Sequence, residues 1–273
     1  HTALPTPMLD NSLGRVTGDS VTVDTQGQTL NNNAGTIVAT GATMNLRTGS
    51  VSNRIGTLFA QGPLQLDALG ALDNSKGRIA SYSDSSITAL QSINNQGGLV
   101  QAGKETPATL TVQSGGAIDN SGAGQIASTG ALSVTAAQNL ANQSGSMVSN
   151  TSATVTAAGI QNDAGNINAH AVQLQSRDAT GNWQALSNVG GTLAANRQLA
   201  IDAGRITNTG GKIMTAQADS ALELRSHGQD IINNSSGAKG GILSAGTLHI
   251  DAQGGTLNNN AAGYIGSAQT LQM

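Results

Sequence analysis

The sequence predicts an all-β chain folded as a parallel β-helix, a solenoid of about twelve coils with roughly 20–26 residues each, spanning residues 9–273. Three observations carry that expectation. A unit of an apolar residue, any residue and Asn, followed by Gly, recurs along the chain. Apolar residues alternating at period two follow most copies, which is the signature of a strand. The chain is rich in Asn and Gly yet contains neither Asn-Gly nor Asp-Gly, the dipeptides that close tight hairpins.

The first element of each coil is the apolar anchor: Leu9, Leu30, Val51, Leu72, Ile93, Ile118, Leu140, Ile160, Leu186, Ile206, Ile232 and Leu257. Two residues after each stands an asparagine: Asn11, Asn32, Asn53, Asn74, Asn95, Asn120, Asn142, Asn162, Asn188, Asn208, Asn234 and Asn259. A glycine follows, as at Gly14, Gly35, Gly56, Gly77 and Gly98, each 21 residues after the last. Such a glycine suits a corner that needs positive φ or a close backbone approach. Next comes a second apolar strand, such as Thr36-Ile37. The third element is an alternating pair such as Met44 and Leu46, Leu64 and Leu66, or Leu222 and Leu224.

Other architectures fit poorly. Helical spacing does not recur, and Gly, Ser, Thr and Asn are poor helix formers. Each repeat is shorter than the roughly 30 residues of a strand–helix–strand unit. One coil per repeat remains. Equivalent residues on successive coils then lie ~4.8 Å apart, so each apolar position becomes an interior ladder. The asparagines form a ladder too, each amide donating to one neighbouring coil and accepting from the other.

The unit L-x-N-x-x-G-x-I, followed by a short L-x-V strand at about 20-residue spacing, resembles the repeats of filamentous haemagglutinin. The same repeats build the large two-partner-secretion exoproteins, including those of contact-dependent growth inhibition. The resemblance covers residues 9–273. It implies a right-handed β-helix, the hand that parallel crossovers generally take. It also implies a secreted rod on the surface of a Gram-negative bacterium, associated with the outer membrane. The expected function is a non-catalytic stalk presenting a distal adhesive or toxic domain. The expected partners are an outer-membrane secretion partner and a host-cell or bacterial surface receptor or glycan.

Composition narrows the function. Only 10% of residues are charged, 1% are aromatic, and the net charge is −3. That provides neither the basic field nor the stacking platforms of a nucleic-acid binder. No apolar run approaches the length of a membrane helix. With no cysteine there is no disulfide framework, thiolate metal site or thiol nucleophile. The histidines His1, His170, His227 and His249 do not pair at zinc-ligand spacing. No cofactor or metal is expected. The sequence begins at His1 and reads as an interior stretch of a longer protein, with residues 1–8 as a leader or partial cap.

Two sets of residues remain as functional candidates. Insertions in repeat arrays become surface loops, often on a binding face. The insertions fall near Lys104–Pro107, Gln175–Ala185, Ser226–Asp230 and Ser235–Gly240. The second holds the single tryptophan, Trp183, with Arg177 and Asp178, and is the candidate partner-binding loop because Trp and Arg are enriched at binding hot spots. The other set is Asp24, Asp67, Asp202 and Asp251, at equivalent positions after the third strand. Parallel β-helices also host polysaccharide-active enzymes, and glycoside hydrolysis needs two carboxyls about 5–9.5 Å apart. Asp24 and Asp67, two coils apart, lie at that limit with Arg47 between them. Solvated surface carboxylates are the expected reading, and the chain is expected not to be an enzyme.

Overall fold

The computed structural model describes residues 8–234 and 240–273. All regular structure among them is strand. The chain forms two compact units, His1–Ala136 and Ala137–Met273. The expected leader, apart from Met8, and most of the insertion near Ser235–Gly240 lie outside the described residues.

The first unit is a parallel β-solenoid. Its anchor strands pair in register, Leu9 on Leu30, Leu30 on Val51, Val51 on Leu72, Leu72 on Ile93 and Ile93 on Ile118. The second strands stack Ile37, Leu58, Ile79, Val100 and Ile126. The third stack Val23, Leu46, Leu66, Ile87, Val112 and Val134. Leu46, Leu58 and Leu66 are buried. Each such side chain stabilises the fold by about 1.5–3 kcal/mol. The core is aliphatic: Phe59 is half-buried and Tyr82 is exposed. One coil breaks the apolar pattern. Ser85 stands inward where its neighbours carry Leu64 and Leu110. Its hydroxyl is satisfied by the Ser81 hydroxyl at 2.6 Å.

The second unit repeats this plan. Ile160, Leu186, Ile206, Ile231 and Leu257 stack as anchors. Its strands run longer: Ser152–Gln161, Asn166–Ser176 and Thr192–Asp202 each fuse neighbouring elements of the coil. The anchor of the eleventh repeat is Ile231 rather than Ile232, and its ladder residue is Asn233 rather than Asn234. Ile231-x-Asn233 and Ile232-x-Asn234 satisfy the same pattern, so the sequence is degenerate by one residue. The structure places Ile231 and Asn233 in the interior, fully buried. Asn234 lies outside, where its Oδ1 accepts from the Asn260 amide at 3.1 Å.

The corner between anchor and second strand uses two adjacent residues differently. The glycines themselves sit against the coil below. A Cβ on Gly35 would lie 2.1 Å from the Asn11 carbonyl oxygen, and one on Gly56 would lie 2.1 Å from that of Asn32. Positive φ falls instead on the preceding residue: Leu13 (57°), Ala34 (53°), Ile55 (57°), Lys76 (55°) and Gly97 (62°). A β-branched residue is strained there, and Ile55 is 68% exposed, so little packing offsets the strain. Ile55→Gly is therefore expected to stabilise the chain by about 1 kcal/mol, seen as a raised thermal midpoint.

Candidate functional site

The asparagine column is the most regular polar feature. In the first unit the Nδ2 of Asn11 donates to Oδ1 of Asn32, and the same link runs through Asn53, Asn74 and Asn95 to Asn120, each at 2.7 Å. In the second unit the chain runs Asn142, Asn162, Asn188, Asn208, Asn233 and Asn259 at 2.7–2.8 Å. Each amide also reaches backbone carbonyls: Asn53 Nδ2 bonds Gly56 at 3.3 Å and Arg78 at 3.2 Å. Buried amides in such ladders close the corner without leaving a polar atom unpaired.

The carboxylates considered for catalysis stand in two columns. Asp24 pairs in register with Arg47, and Arg47 with Asp67. Asp202 pairs with Arg225, and Arg225 with Asp251. An arginine thus separates the two acids of each column, which suits a cross-strand charge ladder better than an acid–base pair. A second group, Asp10, Asp73 and Asp119, caps the corners. Each accepts the backbone amide two residues on, from Ser12, Ser75 and Ser121, as Asx turns do. Burial acts to raise the Asp73 pKa, but hydrogen bonds from Arg54 and Ser75 outweigh it and hold the carboxyl below its usual range. Among the described residues no three His, Asp or Glu side chains cluster as metal ligands.

The insertion at residues 175–185 folds as a β-hairpin. Arg177 and Trp183 form an antiparallel bridge, the Gln184 amide donates to the Ser176 carbonyl at 2.8 Å, and Gly181 takes φ 92°. Its organiser is Asp178. Oδ1 accepts from the Thr180 amide (2.9 Å), the Thr180 hydroxyl (2.7 Å) and the Asn182 amide (2.9 Å), and Oδ2 accepts from Gln184 Nε2 (2.9 Å). Led by the Thr180 hydroxyl, these donors lower the Asp178 pKa to about 2. A depressed carboxyl supports structure above its unfolded pKa and loses that support as pH falls through the folded value. The hairpin is therefore expected to keep its amide protection at pH 5 and lose it between about pH 4 and 2, as read by hydrogen exchange. Asp178→Ala is expected to lose it at every pH.

The Trp183 arm of the hairpin packs on the solenoid. The Trp183 indole stacks on the His227 imidazole with centroids 3.8 Å apart and planes at 2°. The Arg177 guanidinium lies 5.3 Å from the Trp183 ring centre. His227 Nε2 is 3.2 Å from Asp202 Oδ1. Arg225 reaches Glu223 at 2.9 Å and Asp202 at 3.7 Å. Asp202, Glu223 and Arg225, with Gln173 and Gln198, also line a shallow groove of about 430 Å³. Arg177, Asp178 and Trp183 are thus gathered in one hairpin, and its coil-side partners are His227 and Asp202. The insertion near Ser226–Asp230 holds His227, but spacing gave no sign that it meets Trp183, because the contact joins turns distant in sequence.

A haemagglutinin repeat model matches residues 9–122, 127–182 and 243–273, most of the chain. Trp183, Asp202, Arg225 and His227 lie outside the matched stretches. No curated protein and no solved structure matches the chain.

Proposed function

The chain belongs to the haemagglutinin repeat family, and from that premise we propose that it is a non-catalytic stalk segment of a large bacterial surface exoprotein. The observation that carries this reading is repetition. Coil after coil presents the same aliphatic lining and the same amide ladder, so each turn supports its neighbours and adds length without adding a site. The carboxylates of the column and corner sets cap turns or flank an arginine, which supports a scaffold role. The stalk would hold an adhesive or toxic domain away from the cell, as in adhesins or contact-dependent inhibition exoproteins. Secretion would proceed through an outer-membrane partner. Coil-on-coil assembly suits a chain that emerges unfolded, because each rung templates the next.

The second reading is that the segment itself recognises a receptor or glycan, and the Trp183 hairpin is the observation that favours it. The purified labelled segment, with its β-structure checked by circular dichroism, should be titrated onto epithelial and bacterial cells. A stalk gives no saturable binding. Saturable binding abolished by Trp183→Ala would replace the stalk reading with the recognition module.

A further inference from the structure

We propose that His227 makes the Trp183 hairpin a proton-responsive latch, closed on the solenoid when the imidazole is protonated and released when it is neutral. The inference concerns the hairpin itself and does not depend on the stalk reading. Its basis is the contact that docks the Trp183 arm: a parallel ring stack at 3.8 Å, with the imidazole bonded to a carboxylate on its edge. The Trp183 edge of the hairpin touches the coils through this stack and through its backbone: the Gly204 amide donates to the Gln184 carbonyl at 2.7 Å, and the Ile160 amide to the Ala185 carbonyl at 3.1 Å. His227 stands on a turn at φ 48°, pinned by the buried Ser226 hydroxyl bonding the Gln229 carbonyl at 2.6 Å.

The surrounding charges set the direction. From the hairpin come Arg177 and Asp178. The carboxyl of Asp178 is held by its own loop, and Arg177 Nε donates to the Gly181 carbonyl at 2.9 Å. From the strand Thr192–Asp202 comes Asp202, the anion that touches the ring, with a side chain only 14% exposed. From Ala221–Arg225 come Glu223 and Arg225; the guanidinium lies closer to Glu223 than to Asp202, which leaves Asp202 available to the imidazole. From Thr247–Asp251 come His249 and Asp251, in register with Glu223 and Arg225. Arg205 and Asp230 stand on adjoining turns. The net partner at the ring edge is therefore anionic. Protonation turns the bond to Asp202 into a charge-assisted one and places a cation on the indole face. The two cations nearby, Arg177 and Arg225, oppose it from greater distances. Histidine is the side chain that ordinarily changes charge between pH 5 and 8, so the test spans that range.

Trp183 is the single tryptophan of the chain, so its fluorescence reports the hairpin without labelling. The experiment is acrylamide quenching of the full chain from pH 5 to pH 8. The expected quenching constant is about twofold higher at pH 8 than at pH 5, as a population shifts from closed to open. His227→Asn, chosen because Asn tolerates positive φ, is expected to give the high value at every pH. His249→Gln is expected to leave the profile unchanged. Asp202→Asn is expected to move the midpoint to lower pH, because the opposite charge is gone. A flat wild-type profile, a dependence that survives His227→Asn, one abolished by His249→Gln, or an unmoved midpoint in Asp202→Asn would each overturn the latch. If His227→Asn loses its β circular dichroism, the Asp202→Asn midpoint decides.

Discussion

Asn74→Asp is expected to weaken the coils around it by about 4 kcal/mol at pH 7 and by much less near pH 4. Asn74 is fully buried. Its Oδ1 accepts from Asn53 at 2.7 Å, and its Nδ2 donates to Asn95 Oδ1 at 2.7 Å and to the Leu99 carbonyl at 3.1 Å. An aspartate keeps the acceptor but turns the donor into a second oxygen facing three oxygens, those of Asn95, Leu99 and, at 3.5 Å, Gly77. Burial and those acceptors favour the protonated acid, so the carboxyl of the folded variant titrates above its unfolded value. Stability is then greatest below the unfolded pKa and falls by about 1.4 kcal/mol per pH unit as pH rises towards the folded one. Asn74→Ala removes both roles without adding charge, with an expected loss of about 2 kcal/mol that does not depend on pH. Hydrogen-exchange mass spectrometry of residues 72–102 at the two pH values reads both effects locally. Equal losses for Asn74→Asp at both would show that the amide does not need to donate.

Gly77→Ala should be nearly as damaging, for a reason of space alone. A Cβ there would lie 2.0 Å from the Asn53 carbonyl oxygen and 2.7 Å from Asn74 Oδ1. Backbone must part from backbone to admit it, and a loss of about 3 kcal/mol or more is expected. Gly97, one position before the corresponding glycine of the next coil, is the contrast. It holds φ 62°, and its nearest neighbour for a Cβ is the Gly122 carbonyl oxygen at 3.4 Å. Gly97→Ala should therefore lose only about 1 kcal/mol, the conformational penalty of a left-handed alanine. Ala34 already occupies that position in another coil. Urea midpoints of the two variants separate the explanations. Equal losses would mean that conformation, not contact, selects glycine at both.

These variants also show why so much of the fold was legible. A solenoid repeats one local solution, so every copy of apolar-x-Asn and every alternating pair votes for the same register. Leu30, Asn32 and Leu46 could be placed from spacing because Val51, Asn53 and Leu66 say the same thing one coil later. Where a copy was ambiguous, the vote failed. Ile231-Ile232 followed by Asn233-Asn234 satisfies the pattern twice, and only burial chose between them. Ser85 escaped the alternation because its partner, the Ser81 hydroxyl, replaces packing with a hydrogen bond.

The hairpin lay further from reach. Asp178, Arg177 and Trp183 stood out as an insertion, and the absence of Asn-Gly and Asp-Gly argued against tight hairpins. The loop nonetheless closes as one, through the Asp178 carboxylate and Gly181. Periodicity and composition alone determined the coil, its aliphatic interior, its amide ladder and the family resemblance, because each is a property of neighbours repeated along the chain. Tertiary structure alone decided that close contact and positive φ fall on adjacent corner residues. It alone set Arg225 between Asp202 and Asp251 and laid Trp183 on His227. Those contacts join positions on different coils and different turns, and their geometry exists only once the coils have stacked.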